Sequence, residues 1–309
     1  MKRTSIVRRT TRALLLAGVV TLIGQSAAGF AQEASVMQLS GTLAKVHNSG
    51  VITLGYREAS FPFSYINASR EPLGYSIDLC KAIVNAVAQA IDEPRLRTRF
   101  ELVTPETRIP ALTSDKVDLV CGSSTDTVER RKQIAFSPIT FFTGTKLMVR
   151  RNSRLKSIGD LKGKVVVVAA ATTNLSAVTL VNDKRKLGIN IVTATDIEQS
   201  YGLFVEGKAD AFASDEVLLY GLIARHQTQR DFIVVGDFLS YDPYGLMFRR
   251  DDPQLNDVVR TAFHELAESR DLLEIYHKWF IRRTPTGERL NLPMNAQLRQ
   301  VFAALGMPE

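Results

Sequence analysis

Apolar positions along this chain follow two alternating periods. Short apolar runs, several of them β-branched, predict strands, and the segments between them place apolar residues every three or four positions, as a helix with one buried face does. The run from Lys164 to Ala169 has no polar alternation, which is typical of a strand covered on both faces. Strands that alternate with helices predict an α/β fold.

The predicted elements fall into two sets. Strands are predicted at 51–56, 100–103, 117–121, 164–169, 189–192, 209–213, 232–235 and 244–248, and helices at 77–91, 108–112, 255–269 and 271–279. Further helices are expected to begin near residues 128 and 173. This order predicts two α/β lobes that are joined near residues 140–144 and again near 240–245, so that the chain crosses out and returns.

The first residues predict export. Five basic residues precede an apolar run at 13–23, and small residues follow at 29–31, which is the pattern of a signal peptide cleaved near Ala31. The Sec route fits better than the twin-arginine route. Because the predicted cleavage site has no cysteine, a lipid anchor is not expected. Removing the leader lowers the formal net charge from +7 to +2, because residues 1–31 hold five basic and no acidic residues. The near-neutral remainder gives no reason to expect nucleic-acid binding.

The stretch from Val117 to Arg130 carries the clearest candidate chemistry. A buried strand leads into a cluster of small hydroxyl residues, including Ser123 and Thr125, and a predicted helix then carries an arginine in its first turn. Backbone N–H groups, hydroxyls and a forked guanidinium together predict a pocket for a small anion, with a planar carboxylate as the natural ligand. The alternative is a capped helix with a surface arginine. A P-loop motif is absent, which argues against a nucleotide phosphate.

The two cysteines leave two possibilities open. Cys80 falls on the inner face of a predicted helix and Cys121 at the end of a predicted strand, so the two can meet. Oxidation after export favours a disulfide, and two buried thiols are the alternative. The four histidines have no metal-ligand spacing, and neither a metal nor a cofactor is expected.

Six ordered motifs resemble those of one known family. They are Gly-Tyr-Ser-Ile-Asp-Leu at 74–79, Arg-Ile-Pro at 108–110, Cys-Gly-Ser-Ser-Thr at 121–125, Val-Glu-Arg at 128–130, Asp-Leu-Lys-Gly-Lys at 160–164 and Ala-Asp-Ala-Phe-Ala-Ser-Asp at 209–215. The chain resembles the bacterial solute-binding proteins of family 3, the polar amino-acid class that serves ABC importers, and within it the glutamate/aspartate-binding members. The resemblance implies a type II periplasmic-binding fold that closes over its ligand. It also implies lobe boundaries: residues 32–141 plus 244–309 form the first lobe, and 142–243 form the second.

The resemblance also implies a set of ligand contacts. Arg130 corresponds to the arginine that grips the ligand α-carboxylate, helped by groups near Thr125 and Thr173. Ser123 belongs to the α-amino site, and Asp215 corresponds to the carboxylate that pairs with the α-ammonium. An opposite charge at each end suits a zwitterion that leaves water, because an unpaired buried charge is costly.

Two further arginines correspond to those that hold a distal carboxylate. Arg57 and Arg108 in one pocket would repel each other unless an anion neutralises them, which favours an acidic ligand. The alternative for each arginine is exposure at the surface or pairing with an acidic neighbour: Glu58, Glu101 or Glu106.

The chain departs from the family pattern at two positions. Pro105 stands where the glutamate/aspartate-binding members have a serine, and Ile197 stands where they have a histidine that helps bind the distal carboxylate. The loss of two neutral donors leaves open weaker binding, a different chain-length preference, or a shift toward the amide side chains of glutamine or asparagine. Gln199 and Ser200 are candidates to replace the histidine.

The resemblance therefore implies a monomeric periplasmic protein that captures L-glutamate or L-aspartate and delivers it to an ABC permease in the inner membrane. The rival is an enzyme, because a cyclohexadienyl dehydratase uses the same scaffold and fold alone does not separate the two. A sensor that presents the amino acid to a membrane receptor is a third possibility, with the same pocket.

Overall fold

The computed structural model describes residues 38–308, so the predicted signal peptide lies outside the described residues. The strands are β1 (Val51–Tyr56), β2 (Ala59–Ser60), β3 (Ser64–Ile66), β4 (Pro72–Leu73), β5 (Arg97–Leu102), β6 (Leu119–Cys121), β7 (Ile134–Phe136), β8 (Phe141–Thr143), β9 (Thr145–Arg150), β10 (Val165–Ala169), β11 (Asn190–Ala194), β12 (Ala211–Asp215), β13 (Phe232–Val235), β14 (Asp242–Tyr244) and β15 (Met247–Arg249).

Helices lie between most of these strands. They are α1 (Gly41–Ser49), α2 (Tyr75–Ala90), α3 (Arg108–Thr113), α4 (Val128–Arg131), α5 (Thr173–Arg185), α6 (Ile197–Val205), α7 (Glu216–Arg225), α8 (Pro253–Glu268), α9 (Asp271–Tyr276) and α10 (Ala296–Ala304). The predicted α/β class is confirmed. No helix within residues 38–308 combines the length and apolar character that a membrane crossing requires.

Two five-stranded sheets have the same construction. The first has the order β5-β1-β6-β15-β7 and the second the order β11-β10-β12-β9-β13. In each sheet the first three strands are parallel and the last two are added in antiparallel register. We call the part built on the first sheet the first lobe and the part built on the second sheet the second lobe; both belong to one compact unit.

Two short strands connect the lobes. β8 and β14 pair antiparallel, with Asp242 opposite Thr143 and Tyr244 opposite Phe141. We call this pair the hinge ribbon, because the chain leaves the first lobe through one strand and returns through the other. The predicted lobe boundaries, at 141/142 and 243/244, fall within these two strands and stay a prediction.

The single strand predicted at 244–248 is wrong. The structure divides this segment into β14, which belongs to the hinge ribbon, and β15, which joins the first sheet beside β6. The apolar pattern is continuous because both parts are buried, although they are buried in different sheets. An apolar run indicates that a segment is buried, but it does not show with which strand the segment pairs.

Two links hold helix α2 in place within the first lobe. A disulfide joins Cys80 in α2 to Cys121 at the end of β6, with the Cα atoms 6.1 Å apart. Near the carboxyl end of the chain, Trp279 Nε1 and Lys278 Nζ both donate to Oδ2 of Asp78 in α2, at 2.7 and 2.6 Å. These contacts fix α2 against the sheet whose strand ends carry the candidate site.

Candidate functional site

The candidate chemistry gathers where the parallel strands of the two sheets end. In open α/β sheets, ligands bind beyond the carboxyl ends of the strands, near the point where the strand order reverses. Here a small cavity lies between residues contributed by both lobes. It is lined by Arg57, Pro105, Arg108, Ser123, Thr125, Arg130, Thr172, Thr173, Asn174, Ile197, Asp215 and Leu218. All seven ligand-contact residues predicted from the sequence are in this set.

Arg57 reaches the cavity directly from the end of β1. Its side chain is buried, and glycine at position 122 makes room for it, because a Cβ there would lie 3.1 Å from Cγ of Arg57. Burial lowers the pKa of Arg57 to about 10, and the nearby charge of Asp196 offsets part of this effect. The guanidinium is therefore a desolvated cation at the edge of the cavity.

Arg108 is the first residue of α3 and is buried as deeply. Its Nη1 donates to Oγ of Ser124 at 3.2 Å and lies 3.5 Å from the carbonyl oxygen of Ser123. Its Nε is buried and has no hydrogen-bond partner within the described part of the chain. Burial lowers the pKa of Arg108 well below its usual value, and the positive charges of Arg130 and Arg57 lower it further. The three guanidinium groups thus act on one another across the cavity.

The alternatives that the sequence left open for Arg57 and Arg108 are wrong. Both side chains are only 4% exposed. Two of the three acidic neighbours have other partners: Glu58 pairs with Arg70 at 3.3 Å, and Glu101 pairs with Lys116 at 2.6 Å. Among the salt bridges of residues 38–308, none joins Glu106 to either arginine. Taking an unpaired cation out of water costs several kcal/mol. Two such cations beside one cavity favour an anionic ligand.

Arg130 is held by a single helical turn. The helix predicted to begin near residue 128 spans only Val128–Arg131, so it does not provide the extended anion-binding N-terminus expected from the sequence. Thr127 caps this turn by accepting from the backbone N–H of Arg130 at 3.1 Å. Nη1 of Arg130 donates to the carbonyl oxygen of Thr125 at 2.8 Å, which aims the guanidinium at the cavity. The positive charge at this side of the cavity therefore comes from the guanidinium of Arg130, and the dipole of the four-residue helix adds little to it.

Asp215 ends β12 and is the only acid among residues 38–308 that lines the cavity. Tyr244 donates its hydroxyl to Oδ2 at 2.5 Å, and Asn174 donates Nδ2 to Oδ1 at 3.0 Å. Burial, with a smaller contribution from the charge of Asp242, raises the pKa of Asp215 to about 7, although these hydrogen bonds and Arg130 lower it. The carboxylate is fixed in position and has no ion-pair partner among residues 38–308.

Hydroxyl groups from the two lobes meet at the cavity. Thr125, beyond β6 in the first lobe, and Thr173, at the start of α5 in the second, have their Oγ1 atoms 3.2 Å apart. Thr172 caps α5 by accepting from the backbone N–H of Leu175 at 3.2 Å. The two threonine hydroxyls therefore lie beside Arg130, where they can donate to the same carboxylate.

The remaining wall is apolar. Pro105, Ile197 and Leu218 line the cavity, so the two departures from the family pattern do face it. The proposed replacements for the lost histidine are wrong. Gln199 accepts from the backbone N–H and the hydroxyl of Thr195, and Ser200 donates to the carbonyl oxygen of Asp196, so both side chains are used within their own helix end.

The cavity carries an excess of positive charge. Three arginines face one aspartate, and within residues 38–308 no group of three or more metal-ligating side chains is close enough to hold a metal ion. A ligand with two carboxylates and one ammonium group can neutralise more of the arginine charge than a neutral zwitterion can, because it brings one more negative group into the cavity.

The chain matches the bacterial extracellular solute-binding proteins, family 3, over residues 52–282. It belongs to this family. This family 3 chain is 40% identical over 269 residues to the L-glutamate/L-aspartate-binding protein of Pseudomonas aeruginosa, with 86% of this chain and 89% of the relative covered. It is 36% identical over 279 residues to the glutamate/aspartate import solute-binding protein of Escherichia coli, with 90% and 91% covered.

A solved structure agrees with the two-lobed fold. The ancestral amino acid-binding protein AncCDT-1, a precursor of cyclohexadienyl dehydratase, superimposes with a TM-score of 0.66 at 27% identity. The match covers 77% of this family 3 chain and 99% of that structure. The resemblance inferred from the six motifs is therefore confirmed at the level of family and fold.

Sequence reasoning missed the residues that support Asp215 in this family 3 protein. The sequence pattern predicts only a helix start at Asn174 and only the start of a strand at Tyr244, yet both side chains hydrogen-bond the carboxylate of Asp215. The local prediction holds for Asn174, which lies in the first turn of α5, whereas Tyr244 ends β14 and does not begin a strand. What the sequence lacks is a signal that β14 passes beside the end of β12.

Proposed function

We propose that this protein binds an acidic amino acid, L-glutamate or L-aspartate, between its two lobes and delivers it to the permease of an ABC importer. The observation that carries the proposal is the convergence of three arginines and one aspartate on a single cavity. The named functions of the Pseudomonas aeruginosa and Escherichia coli relatives support the same ligand class. Action outside the cytoplasmic membrane, as a monomer after removal of the predicted signal peptide, belongs to this proposal.

The ligand is proposed to lie with its α-carboxylate at Arg130 and the threonine hydroxyls at 125 and 173. Its α-ammonium then meets Asp215, with Ser123 beside it. The distal carboxylate extends toward Arg57 and Arg108, whose guanidinium groups are desolvated and form no salt bridge with any of residues 38–308. The apolar wall contacts the methylene groups between the two ends.

Binding without chemistry is the proposed mode of action. An elimination enzyme needs an acid or base placed against the leaving group. The single acid in the cavity is already held by Tyr244 and Asn174 at the place proposed for the ammonium. The ligand stabilises the closed form in proportion to its higher affinity for that form, and the permease recognises the closed form.

One pair of variants tests the α-carboxylate contact. Arg130→Ala should raise the dissociation constant for glutamate by about 30-fold or more, because truncating one partner of a buried charge pair costs about 2–5 kcal/mol. Ligand-induced thermal stabilisation measures the effect. Arg131→Ala is the matched control, because Arg131 lies on the same turn, pairs with Asp126 and is 55% exposed. Equal stabilisation of both variants by glutamate would contradict the proposed pose.

A further inference from the structure

A chain of hydrogen bonds connects the cavity to the hinge ribbon. Nδ2 of Asn174 donates to Asp215 and also to Oγ1 of Thr145, at 2.8 Å. The hydroxyls of Thr145 and Ser240 lie 2.7 Å apart, and Ser240 also hydrogen-bonds Asp242 in β14. The chain thus runs from one buried carboxylate to a second one.

Tyr244 closes this path into a ring. It lies two residues after Asp242 in β14 and donates directly to Asp215 at 2.5 Å. The two carboxylates and Tyr244 are at most 4% exposed, and so are Asn174 and Thr145. A buried polar network costs free energy unless its members are paired. Here both carboxylates accept hydrogen bonds: Asp215 from Tyr244 and Asn174, and Asp242 from Ser240. The arrangement therefore couples the strand at which the chain returns to the first lobe with the only acid in the cavity.

We propose that Asp242 is a positioning residue for ligand binding: it holds Asp215 in place through the hydrogen-bond chain, and its charge shifts upward the pH below which binding of the ligand ammonium weakens. The inference rests on the proposed function, because it takes Asp215 as the partner of that ammonium. Asp242 lies outside the set of residues that line the cavity.

The charges around Asp215 determine the direction of the pH effect. Burial raises the pKa of Asp215 to about 7, and the charge of Asp242 raises it as well. The opposing groups come from the other elements that face it: hydrogen bonds from Tyr244 and Asn174, and the positive charge of Arg130. Arg108 lies within electrostatic range too. The adjacent Lys146 and Glu216 pair with each other at 2.8 Å.

Binding should therefore weaken as the pH falls through about 7. An ammonium group pairs with the ionised form of Asp215, so below this pKa the carboxyl must lose a proton before the ligand binds. The dissociation constant is then constant above the pKa and rises about tenfold for each pH unit below it. Between pH 8 and pH 5.5 this amounts to roughly 30-fold.

Calorimetric titration with glutamate from pH 5.5 to 8.5 tests the charge of Asp242. Asp242→Asn keeps an oxygen for Ser240 and removes the charge, so the midpoint of the pH dependence should move to lower pH and the 30-fold range should shrink. Asp251→Asn is the control, because Asp251 is 87% exposed and pairs with Arg250 at the surface, outside the hydrogen-bond chain. The same midpoint in Asp242→Asn and in the wild type would overturn the proposal, since a merely structural role would lower the affinity without moving the midpoint.

A second variant tests the hydrogen-bond chain, and it keeps the proposal testable if Asp242→Asn does not fold. Thr145→Val breaks the chain and leaves both carboxylates, so glutamate affinity should fall severalfold at every pH with an unchanged midpoint. Thr143→Val is its matched control, because the Thr143 hydroxyl is buried without a hydrogen-bond partner. Unchanged affinity in Thr145→Val would contradict the role of the chain.

The wild-type titration separates the two proposals. Tight glutamate binding with no pH dependence would overturn only the role of Asp242. Absence of both glutamate and aspartate binding at every pH would overturn the proposed function itself.

Discussion

At the scale of single residues, the decisive property is desolvated positive charge. The sequence predicted which arginines belong to the site, but only as one alternative, since an arginine is exposed more often than buried. The structure buries Arg57 and Arg108, and it pairs Glu58 and Glu101 with other cations. That outcome depends on contacts between distant segments, such as the passage of Arg57 over Gly122, which no local pattern encodes.

Arg57→Met should separate acidic from amide ligands. Methionine keeps much of the volume and removes the charge, so the affinity for glutamate should fall by about 30-fold or more, while that for glutamine changes by only a few-fold. Calorimetry with both amino acids measures the difference. Arg70→Met is the control, because Arg70 is 77% exposed and pairs with Glu58. Equal losses for glutamate and glutamine would mean that Arg57 does not contact the distal group.

At the scale of elements, periodicity predicted most of the strands and helices that carry the site. β1 and β13 have the predicted bounds, and α3 and α5 begin close to the expected residues. The errors share a cause. The helix near residue 128 lasts one turn, and the strand at 244–248 is divided, because tertiary contacts decide where a short element ends. Neither α1 nor α10 was predicted; each is nine residues long and has only two or three buried side chains.

The disulfide is the link between elements with the clearest stability effect. It joins α2 to the end of β6 across 41 residues of sequence, and a loop of that length corresponds to about 4 kcal/mol in the chain-entropy account. Replacing Cys80 and Cys121 by alanine should lower the free energy of unfolding by up to this amount, as measured by urea denaturation. Reductant should destabilise the wild type and leave the double variant unchanged. A wild type insensitive to reductant, with the bond verified as reduced, would contradict this prediction.

At the scale of the whole molecule, contacts between the lobes describe a closed arrangement. Arg225 in α7 of the second lobe donates to the carbonyl oxygen of Ile66 in the first lobe at 3.2 Å, and its guanidinium lies 4.8 Å from the ring centroid of Tyr65. Nearby, Gly221 meets Phe61 so closely that a Cβ would lie 2.5 Å from the Phe61 carbonyl oxygen. In this arrangement a side chain at position 221 would collide with the backbone of Phe61.

Gly221→Ala should therefore weaken ligand binding without destabilising the ligand-free protein. The added methyl group holds the lobes apart, while alanine favours a helix over glycine by about 1 kcal/mol. We expect at least a tenfold loss of glutamate affinity and a smaller ligand-induced compaction in X-ray scattering. Gly202→Ala in α6 is the matched control, because a Cβ there meets no atom within 4 Å. Equal affinity in the two variants would show that this contact does not limit closure.

The most direct test of the central claim is calorimetric titration of residues 32–309, unfolded and refolded to remove carried ligand, against glutamate, aspartate, glutamine and asparagine. Three arginines facing one aspartate predict tight binding of glutamate or aspartate and at least tenfold weaker binding of both amides. Preference for an amide would mean that Pro105 and Ile197 have changed the ligand class, and no binding of any of the four would contradict the account as a whole.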